Sequence, residues 1–194
     1  MTTTVRSTER VRNGVDTEVL FATLDAVSAQ PEIARFQFRA TNHWVHGAHN
    51  RTTIKDFIGA GGALDTSREA PFVLDAGEPA VLVGTDTGPN PAEYLLHALA
   101  ACVTTSLVYV AAARGVRLTE VESYLEGDID LNGCLGTDPE NHRNGLEQIR
   151  MTFRVKGDAT PEKLREVVAR GHGRSAVFDS ITRGVPVHVD VVTD

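Results

Sequence analysis

Two cysteines, Cys102 and Cys134, are the residues of this sequence best suited to nucleophilic or redox chemistry. Cys102 stands in the stretch AACVTT, with no lysine or arginine within two helical turns on either side. A cysteine becomes a reactive thiolate where a positive group or hydrogen-bond donors stabilise its charge, whereas a free buried cysteine is commonly an inert small hydrophobe. Both interpretations stay open for Cys102, and an activating group must come from elsewhere in the chain.

Cys134 lies between glycines in LNGCLGTD, which favours an ordinary turn cysteine over a reactive thiol. The sequence contains neither the Gly-x-Ser-x-Gly elbow of serine hydrolases nor the His-Glu-x-x-His motif of zinc proteases. Gly59, Gly61 and Gly62 spell no dinucleotide fingerprint or phosphate-binding loop. We therefore predict that the protein uses no cofactor.

Three histidines, His43, His46 and His49, are close enough in sequence to raise the question of a metal site. On a strand, steps of three alternate between faces, and Gly47 interrupts any helix, so the spacing favours histidines of a hairpin or an interface. We predict no metal site. His97 is interpreted as a hydrogen-bonded core histidine.

Glu93 is the only carboxylate on a long predicted helix that carries Cys102. Asn90 is a favoured N-cap, Pro91 suits the first helical position, and Glu93 can bond back to the cap; Gly115 supplies the stop. Nine residues at about 100° each place Glu93 about half a turn from Cys102 and about 13 Å along the axis. We therefore predict a capping glutamate, unless a second subunit brings it to a thiol.

Residues 94–113 form an uncharged run of about the length that crosses a bilayer. The run is rich in alanine, threonine and serine and lacks the density of leucine, isoleucine and phenylalanine that favours insertion. A helix that is apolar on nearly every side can also be enclosed by protein. We predict a central buried helix and no membrane partner.

Composition narrows the class of protein. The 194 residues include 19 Lys and Arg against 26 Asp and Glu, a formal charge of −7. This charge does not favour binding to nucleic acid, and two cysteines fit a reducing compartment. The start of the sequence lacks the apolar run of a signal peptide. We expect one cytoplasmic globular domain over residues 1–194, with a flexible segment at residues 1–12.

The spacing of apolar residues predicts the first elements. Asn13 can cap a helix over residues 13–30. Residues 36–40 alternate like a half-buried strand, and a second β-rich stretch over residues 51–57 follows the bend at Gly47, so we predict a hairpin.

The second half of the chain reads as strands and helices without regular βαβ alternation. Residues 116–129, 146–155 and 185–192 have strand character, and a shorter helix starts at Thr160 and Pro161. The order of elements predicts an α+β protein in which antiparallel sheets cover the helices.

The segment GPNPAEYLLHALAACVTTSLVYVAAARGV resembles the OsmC/Ohr superfamily, the osmotically inducible and organic-hydroperoxide-resistance proteins. The likeness continues through LEGDIDLNGCLG, EQIRMTFRV, TPEKLREVVARG, SAVFDSI and GVPVHVDV and covers about residues 36–192. It implies an OsmC-like fold, in which an intertwined homodimer wraps its sheets around two central helices and places its sites between the subunits.

The resemblance also implies roles for individual residues. In the peroxidase members, a cysteine at the position of Cys102 reduces hydroperoxides and a second cysteine resolves the product as a disulfide; here the second position is Ser175. The family's activating glutamate corresponds to Ala92, so Glu93 would be a displaced substitute. Arg51 is the nearest candidate for the activating arginine of the first hairpin.

The resemblance and the residues together predict a thiol-dependent peroxidase. Cys102 would reduce organic hydroperoxides or hydrogen peroxide, and an external thiol would reduce the oxidised cysteine unless Cys134 can approach it. The alternative is a non-catalytic OsmC-like protein that binds a small molecule and has lost its redox activity. A third alternative is a purely structural dimer. The sequence does not specify the substrate or the reductant.

Overall fold

The computed structural model describes residues 10–193, which form two compact units. One unit contains residues 18–95, and the other joins residues 10–17 to residues 96–193. The prediction of a single domain stays a prediction. Residues 1–9, which belong to the segment expected to be flexible, lie outside the described residues.

The described chain contains five α-helices and ten strands. The helices are α1 (Thr17–Ala29), α2 (Pro91–Ala113), α3 (Leu131–Cys134), α4 (Pro161–His172) and α5 (Ala176–Arg183). The strands are β1 (Val11–Arg12), β2 (Val15–Asp16), β3 (Gln37–Phe38), β4 (Thr41–His46), β5 (His49–Ile54), β6 (Phe57–Gly59), β7 (Ala63–Asp65), β8 (Phe72–Ala76), β9 (Leu118–Asp128) and β10 (Gln148–Gly157). Two 3₁₀ turns, Pro31–Ala34 and Ala80–Leu82, complete them. Antiparallel strands with separate helices confirm the predicted α+β class.

The larger unit is built on the antiparallel ladder of β9 and β10, whose residues alternate between a more buried and a more exposed face. One apolar face packs against the last turns of α2 and against α4. The buried centre of this core consists of Leu107, Val110, Ala111, Val116 and Val167. The start of α4 matches the prediction, since Pro161 is its first residue and the side chain of Thr160 accepts a hydrogen bond from the Lys163 amide at 3.3 Å.

The start and the end of α2 are as predicted. Asn90 Oδ1 accepts a hydrogen bond from the Ala92 amide at 2.7 Å, and Glu93 Oε2 accepts one from the Asn90 amide at 2.8 Å. These two bonds form a reciprocal capping box. The helix stops before Gly115, whose φ of 76° lies in the left-handed region that glycine adopts without strain.

The predicted burial of α2 is wrong for a single chain. Leu99, Val103 and Leu107 are buried on one side, but only 33% of the apolar window is buried. Tyr109 is 49% exposed, and His97 is exposed and not a core residue. By length and composition alone, α2 is also the one helix of the described residues that could cross a membrane, a test that core helices of soluble proteins pass too.

Residues 10–16 form a small hairpin and not the flexible end and helix start predicted for them. Asn13 adopts a positive φ of 51° in its turn, so α1 begins at Thr17. The Asn13 side chain donates to the Val116 carbonyl and accepts from the Leu118 amide, both at 2.9 Å. Arg12 is buried and donates to the Ala112 carbonyl at 3.1 Å. Asn13 therefore joins the chain start to the strand after α2 and does not cap a helix.

The smaller unit contains two three-stranded antiparallel sheets, in the orders β4-β5-β8 and β3-β6-β7. The predicted hairpin exists around Gly47, but its strands are β4 and β5, and the predicted strand at residues 36–40 is reduced to β3, which pairs with β6. Phe38 and Trp44 are 74% and 73% exposed in this unit. These two aromatic side chains are therefore largely exposed.

The strand predicted at residues 185–192 is absent from the described chain. The segment pairs with no strand there, and the alternating Val185, Val187, Val189 and Val191 are exposed. The apolar residues therefore alternate as they would in a strand, but the described chain contains no neighbouring strand that pairs with this segment.

Candidate thiol site

Cys102 lies on α2, one residue before the fully buried Val103 and three after the buried Leu99. Its own side chain is half-buried and makes no disulfide. The site therefore combines an apolar helix face with partial access to solvent. No charged residue stands near it on its own helix.

The first turn of α5 supplies the hydrogen-bond donors that the helix of Cys102 lacks. Ser175, which is 2% exposed, and the backbone amides of Ala176 and Val177 lie near enough to the Cys102 thiol to lower its pKa by hydrogen bonding. The third amide of α5, that of Phe178, donates to Ser175 Oγ at 3.1 Å. The first amides of a helix have no partner inside it, and Ser175 caps one of them.

These donors decide the direction in which the Cys102 pKa moves. Burial raises the pKa of the thiol, but the hydrogen bonds from Ser175, Val177 and Ala176 together outweigh it, so the pKa lies below its ordinary value. Within residues 10–17 and 96–193, no charged side chain is among the groups that shift it. The thiolate is therefore favoured by neutral donors and by the positive end of a helix dipole.

Close packing of α4 on α2 brings α5 to the thiol. A Cβ at Gly171 would lie 2.7 Å from Leu107 Cα, so only glycine allows the two backbones to approach as they do. Leu107 is five residues beyond Cys102, about 7.5 Å along the helix. The chain then turns through Gly173 to Ser175, and the His172 ring packs on Phe178 with centroids 5.1 Å apart. Residues distant in sequence thus meet at one sulfur.

Cys134 lies in a different environment. It is the last residue of the four-residue α3, is exposed, and donates its S–H to the Leu131 carbonyl at 3.6 Å. Both cysteines are free.

The other two predicted site residues have partners of their own. Glu93 is the capping glutamate favoured by the sequence. Arg51, on β5, donates from Nε to Asp75 Oδ1 at 2.9 Å and from Nη2 to Asp75 Oδ2 at 3.3 Å. Arg51 belongs to the unit of residues 18–95, whereas Cys102 belongs to the other. Their predicted catalytic roles, like that of Cys102, stay predictions.

Asp75 on β8 holds both Arg51 and His49. His49 Nε2 lies 2.7 Å from Asp75 Oδ1, and β5 and β8 are paired at Arg51 and Asp75. Hydrogen bonds from Arg51 first, and from His49 second, hold the pKa of Asp75 below its ordinary value. The carboxylate therefore stays ionised. Its two oxygens each accept a hydrogen bond from the guanidinium, and this paired geometry fixes the orientation of Arg51.

The three hairpin histidines do not form a cluster of metal ligands in the described chain. His43 stands opposite Arg51, His46 stands opposite His49, and only His49 contacts Asp75. The described residues that could hold a metal ion are Asp130, His142 and Glu147, whose ligand atoms lie within 4.8 Å of one another. The imidazole of His142 already lies between two carboxylates, with Nδ1 3.0 Å from Asp130 and Nε2 3.5 Å from Asp138, so ion pairing accounts for this group.

A groove of about 620 Å³ runs between β10 and α4. Apolar side chains line most of it, including Phe153, Val155, Leu164 and Val168, and His172 stands at its end. Neither Cys102 nor Ser175 lines this groove. It is therefore separate from the thiol site.

The proximity of α5 to Cys102 could not be predicted from the residue patterns of the sequence. Ser175 is a favoured N-cap, and Val177 and Ile181 follow at helical spacing, so a short helix was detectable. No spacing rule relates Ser175 to Cys102 across the 72 residues that lie between them in the sequence. Only the resemblance pointed to that pair.

The architecture defines an α+β protein that carries a hydrogen-bonded thiol on a long apolar helix. The chain belongs to the OsmC family: the family model, described as OsmC-like protein, matches residues 84–190, more than half of the chain. This match includes both Cys102 and Ser175. No curated protein sequence matches the chain significantly.

Solved structures share the fold at low sequence identity. The OsmC-like protein from Mycoplasma pneumoniae is 15% identical, with a TM-score of 0.55 over 75% of this chain and 87% of its own. The organic hydroperoxide resistance protein OsmC from Legionella pneumophila is 19% identical, with a TM-score of 0.50 over 75% of this chain and 88% of its own. A hypothetical protein from Aquifex aeolicus is 16% identical, with a TM-score of 0.50 over 75% and 87%. These likenesses confirm the OsmC-like fold.

Proposed function

We propose that the protein is a thiol-dependent peroxidase that reduces organic hydroperoxides or hydrogen peroxide through Cys102. The observation that carries this proposal is the half-buried Cys102 thiol, whose pKa is lowered by hydrogen bonding from the start of α5. A thiolate is the nucleophile in peroxide reduction, and these donors increase its population at neutral pH. Membership in the OsmC-like family and the hydroperoxide resistance named for a protein of similar fold support a redox role.

The reaction has two halves. The Cys102 thiolate attacks the terminal oxygen of the hydroperoxide, the O–O bond breaks, and the alkoxide takes a proton and leaves as an alcohol. The sulfur becomes a sulfenate, and the peroxide is reduced. An external thiol then displaces the oxygen as water and forms a mixed disulfide, and a second thiol releases Cys102 and departs as a disulfide.

We infer that the working form is a homodimer. Exposed apolar side chains on a single chain can mark interaction sites, and here they include Leu95 and Tyr109 of α2 together with the valines of residues 185–192. A second copy would cover α2 and would bring its first hairpin, with Arg51, to the thiol of the other copy. Light scattering during gel filtration should give twice the mass of 20.9 kDa. A monomer, or a chain recovered only with membranes, would contradict this proposal.

Peroxide consumption tests the activity directly. Purified protein with a dithiol present should consume cumene hydroperoxide, and Cys102→Ser should abolish the reaction. Cys134→Ser is the matched control, because it removes the other thiol of the chain and should leave the rate unchanged. Arg51→Ala should lower the rate of peroxide consumption while Cys102 itself stays available for oxidation.

The same assay distinguishes the peroxidase from the alternative, a non-catalytic small-molecule-binding protein. Equal, slow consumption by the wild type and by Cys102→Ser would remove the enzyme proposal. The protein would then be an OsmC-like small-molecule-binding protein, an interpretation that the serine at position 175 and the alanine at position 92 would both fit.

A further inference from the structure

Three asparagines of this chain are followed directly by glycine: Asn13, Asn132 and Asn144. The side-chain amide of such an asparagine can react with the next backbone nitrogen, because glycine carries no side chain that hinders the approach. Asparagine is accordingly among the thermolabile residues of proteins. The three sites share the same dipeptide, so a difference in their reactivity must come from the structure around them.

Tertiary hydrogen bonds hold the first of these side chains. The Asn13 amide group donates to the Val116 carbonyl and accepts from the Leu118 amide, both at 2.9 Å. Its neighbour Gly14 has a positive φ of 76° in the turn between β1 and β2. A reaction between Asn13 and the next nitrogen would therefore break both hydrogen bonds and reshape this turn.

Asn132 is held within the short helix α3. Its side chain donates to Asp130 Oδ1 at 2.8 Å and accepts from the Thr137 hydroxyl at 2.7 Å. The following residue, Gly133, is buried, and a Cβ at this position would overlap the Arg143 carbonyl. This backbone is therefore closely packed, and its nitrogen is not free to rotate toward the Asn132 side chain.

Asn144 lies in the irregular segment between α3 and β10, in a different environment. Asn144 and Gly145 are both exposed, and neither the Asn144 side chain nor the Gly145 amide forms a hydrogen bond with any residue that the structure describes. Within 4 Å, a Cβ at Gly145 would meet only the Arg143 guanidinium, with its nearest nitrogen 3.5 Å away. Both reacting groups of this third site are therefore free to meet.

We propose that Asn144 is a site at which this protein is modified by deamidation, with water as the only co-reactant. The Gly145 nitrogen attacks the Asn144 side-chain carbon, the carbon–nitrogen bond of the amide breaks, and the amide leaves as ammonia with the proton of the Gly145 nitrogen. Water then opens the cyclic imide at either of its two carbonyls, which gives aspartate or isoaspartate at position 144.

The product changes both the charge and the backbone of this segment. Each event adds one negative charge to the formal charge of −7 and places it near the Arg143 guanidinium. The isoaspartate form also lengthens the backbone by one carbon close to Leu146. A Cβ at Gly127 would lie 3.1 Å from Leu146 and 3.3 Å from Leu96, so the side chains of these two leucines converge there. The modification therefore falls beside the place where β9, the start of β10 and α2 meet.

The test follows all three sites in one sample. Full-length protein is incubated in mildly alkaline buffer, and mass spectrometry of its peptides distinguishes asparagine from the acidic products. Conversion at Asn144 should be faster than at Asn13 and Asn132 by about tenfold or more, because two hydrogen bonds must break first at each of those sites. Equal rates in the folded protein, or faster conversion at Asn13 or Asn132, would overturn the proposal.

The same incubation in urea is the control for local sequence. In the unfolded chain the three sites should convert at similar rates, since each is an asparagine followed by glycine. A preference for Asn144 that persists unchanged in urea would show that the folded structure does not select this site, and it would overturn the inference.

Gly145→Ala is the matched variant, because position 145 has no positive φ and a Cβ there meets only a flexible guanidinium. The methyl group hinders the backbone nitrogen and should slow conversion at Asn144 several-fold, while Asn13 and Asn132 keep their rates. A variant that converts as fast as the parent would overturn the attack by the Gly145 nitrogen. Cys102 takes no part in this reaction, so these outcomes do not depend on whether the protein consumes peroxides.

Discussion

The two cysteines of this chain lie in very different local structures. Cys102 lies on a 23-residue helix and faces the start of an eight-residue helix from the far end of the chain. Cys134 ends a four-residue helix, is exposed, and contacts only the carbonyl three residues before it among its described hydrogen bonds. Hydrogen bonding from the start of α5 lowers the pKa of Cys102, whereas Cys134 donates its S–H within its own short helix. The two thiols therefore differ in the tertiary contacts that surround them.

The largest effect is expected from a substitution that places a second thiol beside Cys102 and so increases the difference between the two cysteines. In protein carrying Cys134→Ser, Ser175→Cys should form an intrachain disulfide with Cys102 after one equivalent of peroxide, because Ser175 lies near enough to the thiol to lower its pKa. Titration with a thiol reagent should fall from two thiols per chain to none. The same oxidation of otherwise unchanged protein should leave Cys134 free. Two titratable thiols after oxidation of the Ser175→Cys protein would show that the two positions do not meet.

A smaller effect is expected where α4 meets α2. Gly171→Ala places a methyl group against Leu107 backbone atoms, and we expect a loss of about 1–3 kcal/mol in the free energy of unfolding although alanine favours helices. Gly173→Ala is the matched control, because its Cβ would meet atoms at 3.4 Å or more and should change stability by less than about 0.5 kcal/mol. Urea denaturation measures both. Equal stability of the two variants would contradict the close approach of these helices.

These cases show which parts of the molecule the sequence can predict. The capping box of Asn90 and Glu93 involves residues three apart, so local pattern was sufficient. Asn13 has equally good capping chemistry, but its side chain bonds to residues more than 100 positions later, and that tertiary partner overrides the local preference. The prediction that His97 is buried was wrong for a related reason. Apolar neighbours along a helix do not specify which other elements cover that helix.

The pH dependence of stability gives a third way to compare the cysteines. Because the native pKa of Cys102 lies below its ordinary value, the native state favours the thiolate, and its stability contribution is complete above the unfolded pKa and is lost as pH falls through the native pKa. The difference in unfolding free energy between the wild type and Cys102→Ser should therefore rise with pH up to the ordinary thiol pKa of about 8.5. Cys134→Ser should keep the rise. A flat difference would contradict the hydrogen bonds from α5.

The smallest effect concerns Glu166, which ties α4 to the end of α2. Its carboxylate accepts from Lys163 at 3.0 Å, from Arg170 at 3.0 Å and from Arg114 at 2.7 Å. Hydrogen bonds from Lys163 first and Arg170 second lower its pKa from 4.5 to about 2. A lowered pKa stabilises the protein above pH 4.5, and this contribution disappears as pH falls toward 2.

Glu166→Gln should therefore unfold at slightly lower urea concentration than the wild type at pH 6, and the two proteins should converge as the pH approaches 2. Glu122→Gln is the control, since its pair with Arg154 is exposed and 3.6 Å apart. Convergence in the control as well would indicate a general effect of acid and not the Glu166 contacts.

The hairpin of residues 10–16 has a consequence for synthesis of the chain. Asn13 finds its partners at Val116 and Leu118, and Cys102 meets Ser175 only after most of the polypeptide has been made. The ribosome releases residues in order, so the cysteine emerges long before the serine that will hold its sulfur. During that interval the Cys102 thiol of the nascent chain lacks the α5 groups that lower its pKa. The lowered pKa is therefore acquired only when the fold is complete.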